Sequence, residues 1–269
     1  MFALFLIVFV ITLPRVYFWC AYLQQKEYRL DRLRVFLLSA EGKEAIKKFY
    51  PWDYALTRTS LKRPHQTMKM ILIEGLFSLL FLSALFFTNA YFGFLYAVGT
   101  FLILYTCAPV LVLLSAAPFA AVTFVITRSL LRLSSIKVRR YNTTIIGITG
   151  SYGKTTTKAL LAAVLQREGS LYTLPASHNT PLSIALHILK DYHGEKTLLI
   201  EYAAYKSGEI SLLTNHFPPH IAVITGFAPQ HIGLFGSQQA IAEEKGALVR
   251  GLVPGGTALI NDLDDGDPS

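Results

Sequence analysis

Apolar and polar positions follow two different rules along this chain, and the change falls near residue 140. Before it, apolar residues run on in long stretches with few interruptions. After it they come in short runs broken by glycine and polar residues. The first long run, Phe2 to Leu23, carries Arg15 as its one charge, with Pro14 beside it. A membrane span takes about 20 apolar residues, so residues 2–23 predict a spanning helix. No basic leader and no small-residue cleavage site accompany it, so it reads as an anchor rather than a removed signal. Met70 to Thr127 forms the next long run. It predicts two more spans, 70–88 and 94–127, turning near TNAYFG (88–93).

Charge sets the orientation. Residues 24–69, between the first two spans, hold 11 Lys and Arg against 5 Asp and Glu. Arg128, Arg132, Lys137, Arg139 and Arg140 follow the last span with no acid among them. The positive-inside rule puts both segments on the cytoplasmic side. That demands an even number of crossings between them and an N-terminus outside. Glu74 then sits near the cytoplasmic mouth of its span, within reach of headgroup water. In the loop 24–69, Leu30, Leu33, Leu37 and Leu38 recur at helical spacing among Arg29, Arg32 and Arg34. Such a helix lies on the membrane surface or packs on the following domain.

The net charge of +8 belongs entirely to this half: residues 1–138 hold 15 Lys and Arg against 6 Asp and Glu, and residues 139–269 hold 10 against 11. Basic residues that flank apolar spans argue for membrane orientation and against nucleic acid as a partner. Cys20 and Cys107 lie in apolar runs, far from any metal-binding spacing, and predict buried apolar residues rather than a metal site or a disulfide.

From Asn142 the period changes. TTIIGIT (143–149) reads as a buried strand, and TTTKALLAAVLQRE (155–168) as a helix stopped by Gly169. KTLLIE (196–201), HIAVITGF (220–227) and GTALIND (256–262) read as further strands. SQQAIAEEKGALVRGL (237–252) reads as a helix with Ser237 as N-cap. Strands alternating with helices imply a mostly parallel sheet covered on both faces.

Candidate chemistry gathers at one edge of that sheet. Between the first strand and its helix lies Gly150-Ser151-Tyr152-Gly153-Lys154-Thr155. Backbone N–H groups and a helix N-terminus favour an anion there. Lys154 can reach terminal phosphates and the Thr155 hydroxyl can ligate Mg²⁺. The spacing between the glycines is shorter than in the standard phosphate loop, since Ile148 stands where its first glycine would be. Ligands of open α/β sheets bind beyond the carboxyl ends of strands. Glu201 and His231 fall at that edge and are candidate metal ligands. On the last helix, Ile241, Leu248 and Leu252 form one stripe with Lys245 in its middle, while Gln239 and Arg250 face away. A lysine on a buried face must be paired, must snorkel or must be chemically altered.

Six segments, in order, resemble the Mur ligase family of ATP-dependent amide ligases: ITGSYGKTTTK (148–158), NTPLSIA (179–185), EYAAYKSGEI (201–210), TGFAPQHIGLFGS (225–237), AEEKGALVRGL (242–252) and ALIND (258–262). The resemblance covers Tyr141 to the end and leaves the membrane half outside it. It implies an α/β fold: a P-loop Mur-ligase-type central domain with a mostly parallel sheet, here incomplete, preceded by an α-helical transmembrane region. The expected domains are 1–138 and 139–269.

The activity it implies is ATP-dependent acid–amino acid ligation through an acyl phosphate, in peptidoglycan precursor synthesis. A dipeptide such as D-alanyl-D-alanine, or an amino acid, would be joined to a UDP-linked muramyl peptide. ATP and Mg²⁺ would be the cofactors, and membrane lipid a further partner. Gly150, Ser151, Gly153, Lys154, Thr155 and Thr156 would bind ATP. Thr155, Glu201, His231 and a carbamylated Lys245 would hold metal. Lys154, Lys245 and His231 would be catalytic, and Asn179 and Thr180 would face the UDP-linked substrate. The location implied is the bacterial inner membrane, multi-pass, with the catalytic domain in the cytoplasm.

The chain departs from the family pattern at Ala203, where glycine is usual, and in the shortened NTPLSIA segment. A glutamate-polymerising ligase therefore stands as an alternative. Because the family's matching length continues well beyond this chain, a fragment with weak nucleotide binding and little turnover is expected, and a nucleotide-binding membrane protein without catalysis is the further alternative.

Overall fold

The structure, a computed structural model, describes residues 2–26, 28–47, 64–167, 169–175, 178–204, 207–228, 235 and 237–261. The chain forms two compact units, Met1–Phe124 and Val125–Ser269.

In the first unit the long apolar runs become helices, which satisfy their backbone polar groups within the segment. These are α1 (Phe2–Gln25), α2 (Leu30–Leu38), α3 (Ala40–Lys47), α4 (Met68–Phe92), α5 (Phe94–Thr106) and the start of α6 (Ala108–Arg139). Among the described residues, three helical stretches are long and apolar enough to cross a membrane: Ile7–Gln25, Met68–Phe92 and Ala108–Arg139. Phe86, Phe87, Leu95, Leu102 and Phe124 stand exposed on these helices and on α5.

The expected span 94–127 is divided. Pro109 has no N–H for the carbonyl of Tyr105, so the ladder lapses. Cys107 N–H closes α5 on the Ile103 carbonyl at 2.8 Å, and Leu111 N–H opens α6 on the Cys107 carbonyl at 3.1 Å. The lone charge of the first apolar run serves this break. Arg15 is buried, its guanidinium donates to the Thr106 carbonyl at 3.3 Å, and it lies 4.9 Å from the centre of the Tyr105 ring. Neither cysteine is paired, and Cys107 is exposed at the break rather than buried. The helix over Leu30–Leu38 packs within the first unit. Leu33 and Phe36 are buried in the core of this unit, and the Phe36 ring stacks on Tyr22 of α1 at 4.4 Å.

In the second unit five strands form one parallel sheet: β1 (Thr144–Thr149), β2 (Leu171–Thr173), β3 (Thr197–Glu201), β4 (Ile221–Ile224) and β5 (Thr257–Ile260), in the order β2-β3-β1-β4-β5. Among the described residues the connections contain α7 (Lys154–Leu165), α8 (Pro181–Asp191), α9 (Glu209–His216) and α10 (Gln238–Arg250). The alternation along each strand separates two cores. Ile145, Leu198, Ile200 and Ala222 point to the side where Ile188 of α8, Leu213 of α9 and Leu248 of α10 are buried, together with Leu131 and Val138 of α6. Ile146, Ile148 and Leu199 point to the other side, against Leu161 and Leu165 of α7. The strand Leu171–Thr173 escapes sequence reading because three residues are too few to show a period.

Candidate functional site

After β1 the chain must turn sharply into α7, and two glycines permit the turn. Gly153 has φ 77°, the left-handed region that glycine enters freely, and it is the N-cap of α7. A Cβ on Gly150 would lie 2.1 Å from the Thr225 Oγ1. The loop therefore runs against the end of β4 at a distance only glycine allows. Ser151 anchors it: its N–H donates to the Gly226 carbonyl at 2.7 Å and its hydroxyl to the Ala228 carbonyl at 2.8 Å. Thr225 donates its hydroxyl to the Tyr152 carbonyl from the other side. The α7 N-terminus thus opens with free N–H groups beside a backbone that cannot be crowded by a side chain, which is what a phosphate requires.

The strand period then delivers the acid. Glu201 is two residues beyond Leu199, so it shares Leu199's face of the sheet, the face of α7. It is buried, 4 % exposed, at the carboxyl end of β3. Thr155 Oγ1 donates to Glu201 Oε2 at 3.4 Å and Asn179 Nδ2 donates to Oε1 at 3.2 Å. Lys154 donates to the Gly150 carbonyl at 2.7 Å, which holds its ammonium over the loop. Burial lowers the Lys154 pKa, and the Glu201 charge opposes that.

These groups line a cleft of about 190 Å³, with Gly150, Ser151 and Lys154 on one wall, Asn179 and Glu201 on another, and Ile241 and Lys245 of α10 on a third. Lys245 is half-buried beside the fully buried Leu248, as the stripe on α10 predicts. Its pKa is pushed down to about 8 by burial and by the nearby Lys154 charge, with Glu244 opposing. Two ammonium groups and one carboxylate face the cleft, an arrangement that favours an anionic ligand.

Some expected site residues stand elsewhere. Thr156 is exposed on α7 and does not line the cleft. Thr180 is exposed and serves as N-cap of α8, accepting the Ser183 N–H at 3.3 Å. His231 lies outside the described residues. Among the described residues no group of three or more His, Cys, Asp or Glu side chains comes together as a metal site. Among the described residues that line the cleft, Glu201 is the one acid.

Sequence reasoning missed Lys158. It is buried, with Nζ 3.5 Å from Glu201 Oε2 and within 3.2 Å of the Leu174 carbonyl. The available signal was its position one helical turn after Thr155, facing a strand that ends in an acid.

Comparison with known proteins agrees with this arrangement. The family profile of the Mur ligase middle domain matches residues 148–267. A UDP-N-acetylmuramoyl-tripeptide--D-alanyl-D-alanine ligase of Synechocystis is 39% identical over 123 residues, covering 46% of this chain and 27% of the relative. The ligase of the same name from Mycobacterium leprae is 38% identical over 122 residues, 45% of this chain and 23% of the relative. The crystal structure of MurF ligase from Thermotoga maritima in complex with ADP is 34% identical, with a TM-score of 0.50, and the likeness covers 52% of this chain and 32% of that one. The chain spans about a quarter of the length of the curated relatives it matches. Residues 148–267 of this chain are thus similar to the Mur ligase middle domain.

Proposed function

We propose that this chain is a membrane-tethered ATP-dependent ligase that forms an amide bond, attaching D-alanyl-D-alanine to a UDP-linked muramyl peptide in peptidoglycan precursor synthesis. The observation that carries the reading is the meeting of Lys154, Thr155 and Glu201 in one cleft, with the Thr155 hydroxyl 3.4 Å from the Glu201 carboxylate. The relatives' shared name supplies the substrate class.

The residues fit Mg-ATP. The glycine cradle and the α7 N-terminus take the phosphates. A hydroxyl and a carboxylate side by side are the oxygen donors a magnesium ion accepts. Thr155 and Glu201 would hold Mg²⁺, which supplies charge neutralisation on the phosphates when bound. Lys154 stabilises charge that grows on the phosphoryl oxygens during transfer to the substrate carboxylate. Lys245 projects its amine into the same cleft, and conversion to a carbamate would turn that cation into a further anionic oxygen ligand. His231 completes the expected metal set, Gly153 and Thr156 the expected nucleotide set, and Asn179 and Thr180 the expected substrate side.

The three long apolar helices support a multi-pass anchor in the bacterial inner membrane, with lipid as a partner. The proposed domains are 1–138, the membrane region, and 139–269, the catalytic region. The basic segments 24–69 and 128–140 would face the cytoplasm.

The test is ADP release by the full chain in lipid nanodiscs, with Mg-ATP, UDP-N-acetylmuramoyl-tripeptide and D-alanyl-D-alanine. Release that needs both acceptor and amine, and that Lys154→Met lowers at least a hundredfold, supports the reading. Release that follows glutamate alone reassigns the substrate. Nucleotide binding with no substrate-dependent release overturns the ligase reading.

A further inference from the structure

We propose that Lys158 is a positioning residue that keeps the Glu201 carboxylate charge-compensated until nucleotide arrives, so that a divalent cation enters the cleft with the phosphates and not ahead of them. This rests on the reading of Glu201 as the cation-holding carboxylate.

The pair is well removed from water: the side chains of Lys158 and Glu201 are 8% and 4% exposed, with Nζ 3.5 Å from Oε2. A buried ion is tolerated when an opposite charge and hydrogen bonds replace its hydration. Glu201 has both. Lys158 supplies the charge, while Thr155 Oγ1 and Asn179 Nδ2 donate to its two oxygens at 3.4 and 3.2 Å. Lys158 is itself held, donating to the Leu174 and Pro175 carbonyls at 3.2 and 3.4 Å. Its ammonium therefore ties three segments together: α7, the stretch after β2, and the end of β3. It cannot leave Glu201 without abandoning two carbonyls in a buried place.

The consequence is electrostatic. A bare divalent cation approaching Glu201 meets a carboxylate already neutralised by Lys158, with the ammonium groups of Lys154 and Lys245 on the same cleft. Like charges that share one cleft repel each other more strongly where water is sparse. A di- or triphosphate reverses the balance, because its negative charges engage Lys154 and the α7 N-terminus and offer oxygens to the same cation.

The experiment uses the full chain in nanodiscs, in bicarbonate-free buffer so that Lys245 stays an amine, and Mn²⁺ as the probe. Free Mn²⁺ is read by electron paramagnetic resonance with and without ADP, and Glu201→Gln supplies the baseline for binding elsewhere. The wild type should hold Mn²⁺ at least tenfold more tightly with ADP than without. Lys158→Met should raise nucleotide-free Mn²⁺ affinity at least tenfold, and Lys158→Arg should keep the wild-type pattern. Equal Mn²⁺ affinity with and without ADP in the wild type overturns the proposal, and this comparison stands even if Lys158→Met does not fold. A folded Lys158→Met with no gain also overturns it. Absence of Mn²⁺ binding even with ADP overturns instead the reading of Glu201 on which it rests.

Discussion

Glu244 on α10 accepts the backbone N–H of Ile210 at 2.7 Å and so closes the N-terminus of α9, a helix far earlier in the chain. Its second oxygen accepts the Gly208 N–H at 2.6 Å. A helix N-terminus leaves N–H groups unsatisfied and carries partial positive charge, and a buried carboxylate answers both. The neighbour of Glu244 in sequence is Lys245, so the same contact sets where that amine enters the cleft.

Glu244→Ala should therefore destabilise the second unit by about 2 kcal/mol, since the buried Ile210 N–H and the part-buried Gly208 N–H lose a charged acceptor. Glu244→Gln keeps one acceptor and points an amide at the other donor, and should cost about half as much. Urea titration of the full chain, followed by the fluorescence of the buried Tyr202 and its neighbours, measures both. An unchanged midpoint for Glu244→Ala would show that water satisfies the α9 terminus instead.

Gly153 and Gly150 should respond differently to alanine. Gly153 has a positive φ but open space, its built Cβ coming no nearer than 3.6 Å to Thr225. Alanine there should cost about 1 kcal/mol in backbone strain. Gly150→Ala drives a methyl into Thr225 at 2.1 Å and must displace the loop. It should abolish ADP binding as read by a fluorescent nucleotide analogue, while Gly153→Ala should retain it at reduced affinity.

Lys245 should titrate near pH 8. Competitive acylation of the folded chain, read by mass spectrometry, should give Lys245 a reactivity midpoint about 8, well below an ordinary lysine near 10.5. The sign for stability follows. Between those values the unfolded chain binds more protons than the folded one, so stability rises with pH across that window and is lost as pH falls through the folded value. Lys245→Met should remove that slope from urea midpoints measured between the two values. A wild type and variant with parallel pH dependence would show an ordinary solvated amine.

The membrane orientation has its own test. A reporter fused after Arg140 should be active only in the cytoplasm, because the basic segments on both sides of the second and third spans share that side. Activity of an externally folding reporter at this site would reverse the topology.

What can be read from the sequence is what local chemistry dictates. The long apolar helices follow from apolar length, and β1, the glycine loop and α7 follow from a change of period with left-handed glycine between. Glu201 at a strand end and Lys245 in an apolar stripe are likewise periodicities, and the cleft contains both. Tertiary structure decided the rest. Asn179, expected to face substrate, bonds to Glu201, and Thr180 is used as a helix cap. Lys158 looks like any lysine of an amphipathic helix until β3 is laid beside α7 and Glu201 comes within 3.5 Å. Arg15 looks like a charge stranded in an apolar run until the end of α5 is laid beside it and the Thr106 carbonyl accepts its guanidinium. Periodicity reports which face a side chain takes, because the repeat of its own element fixes that. Its partner comes from another element, brought near by long-range strand pairing and packing, and no short window of sequence contains that partner.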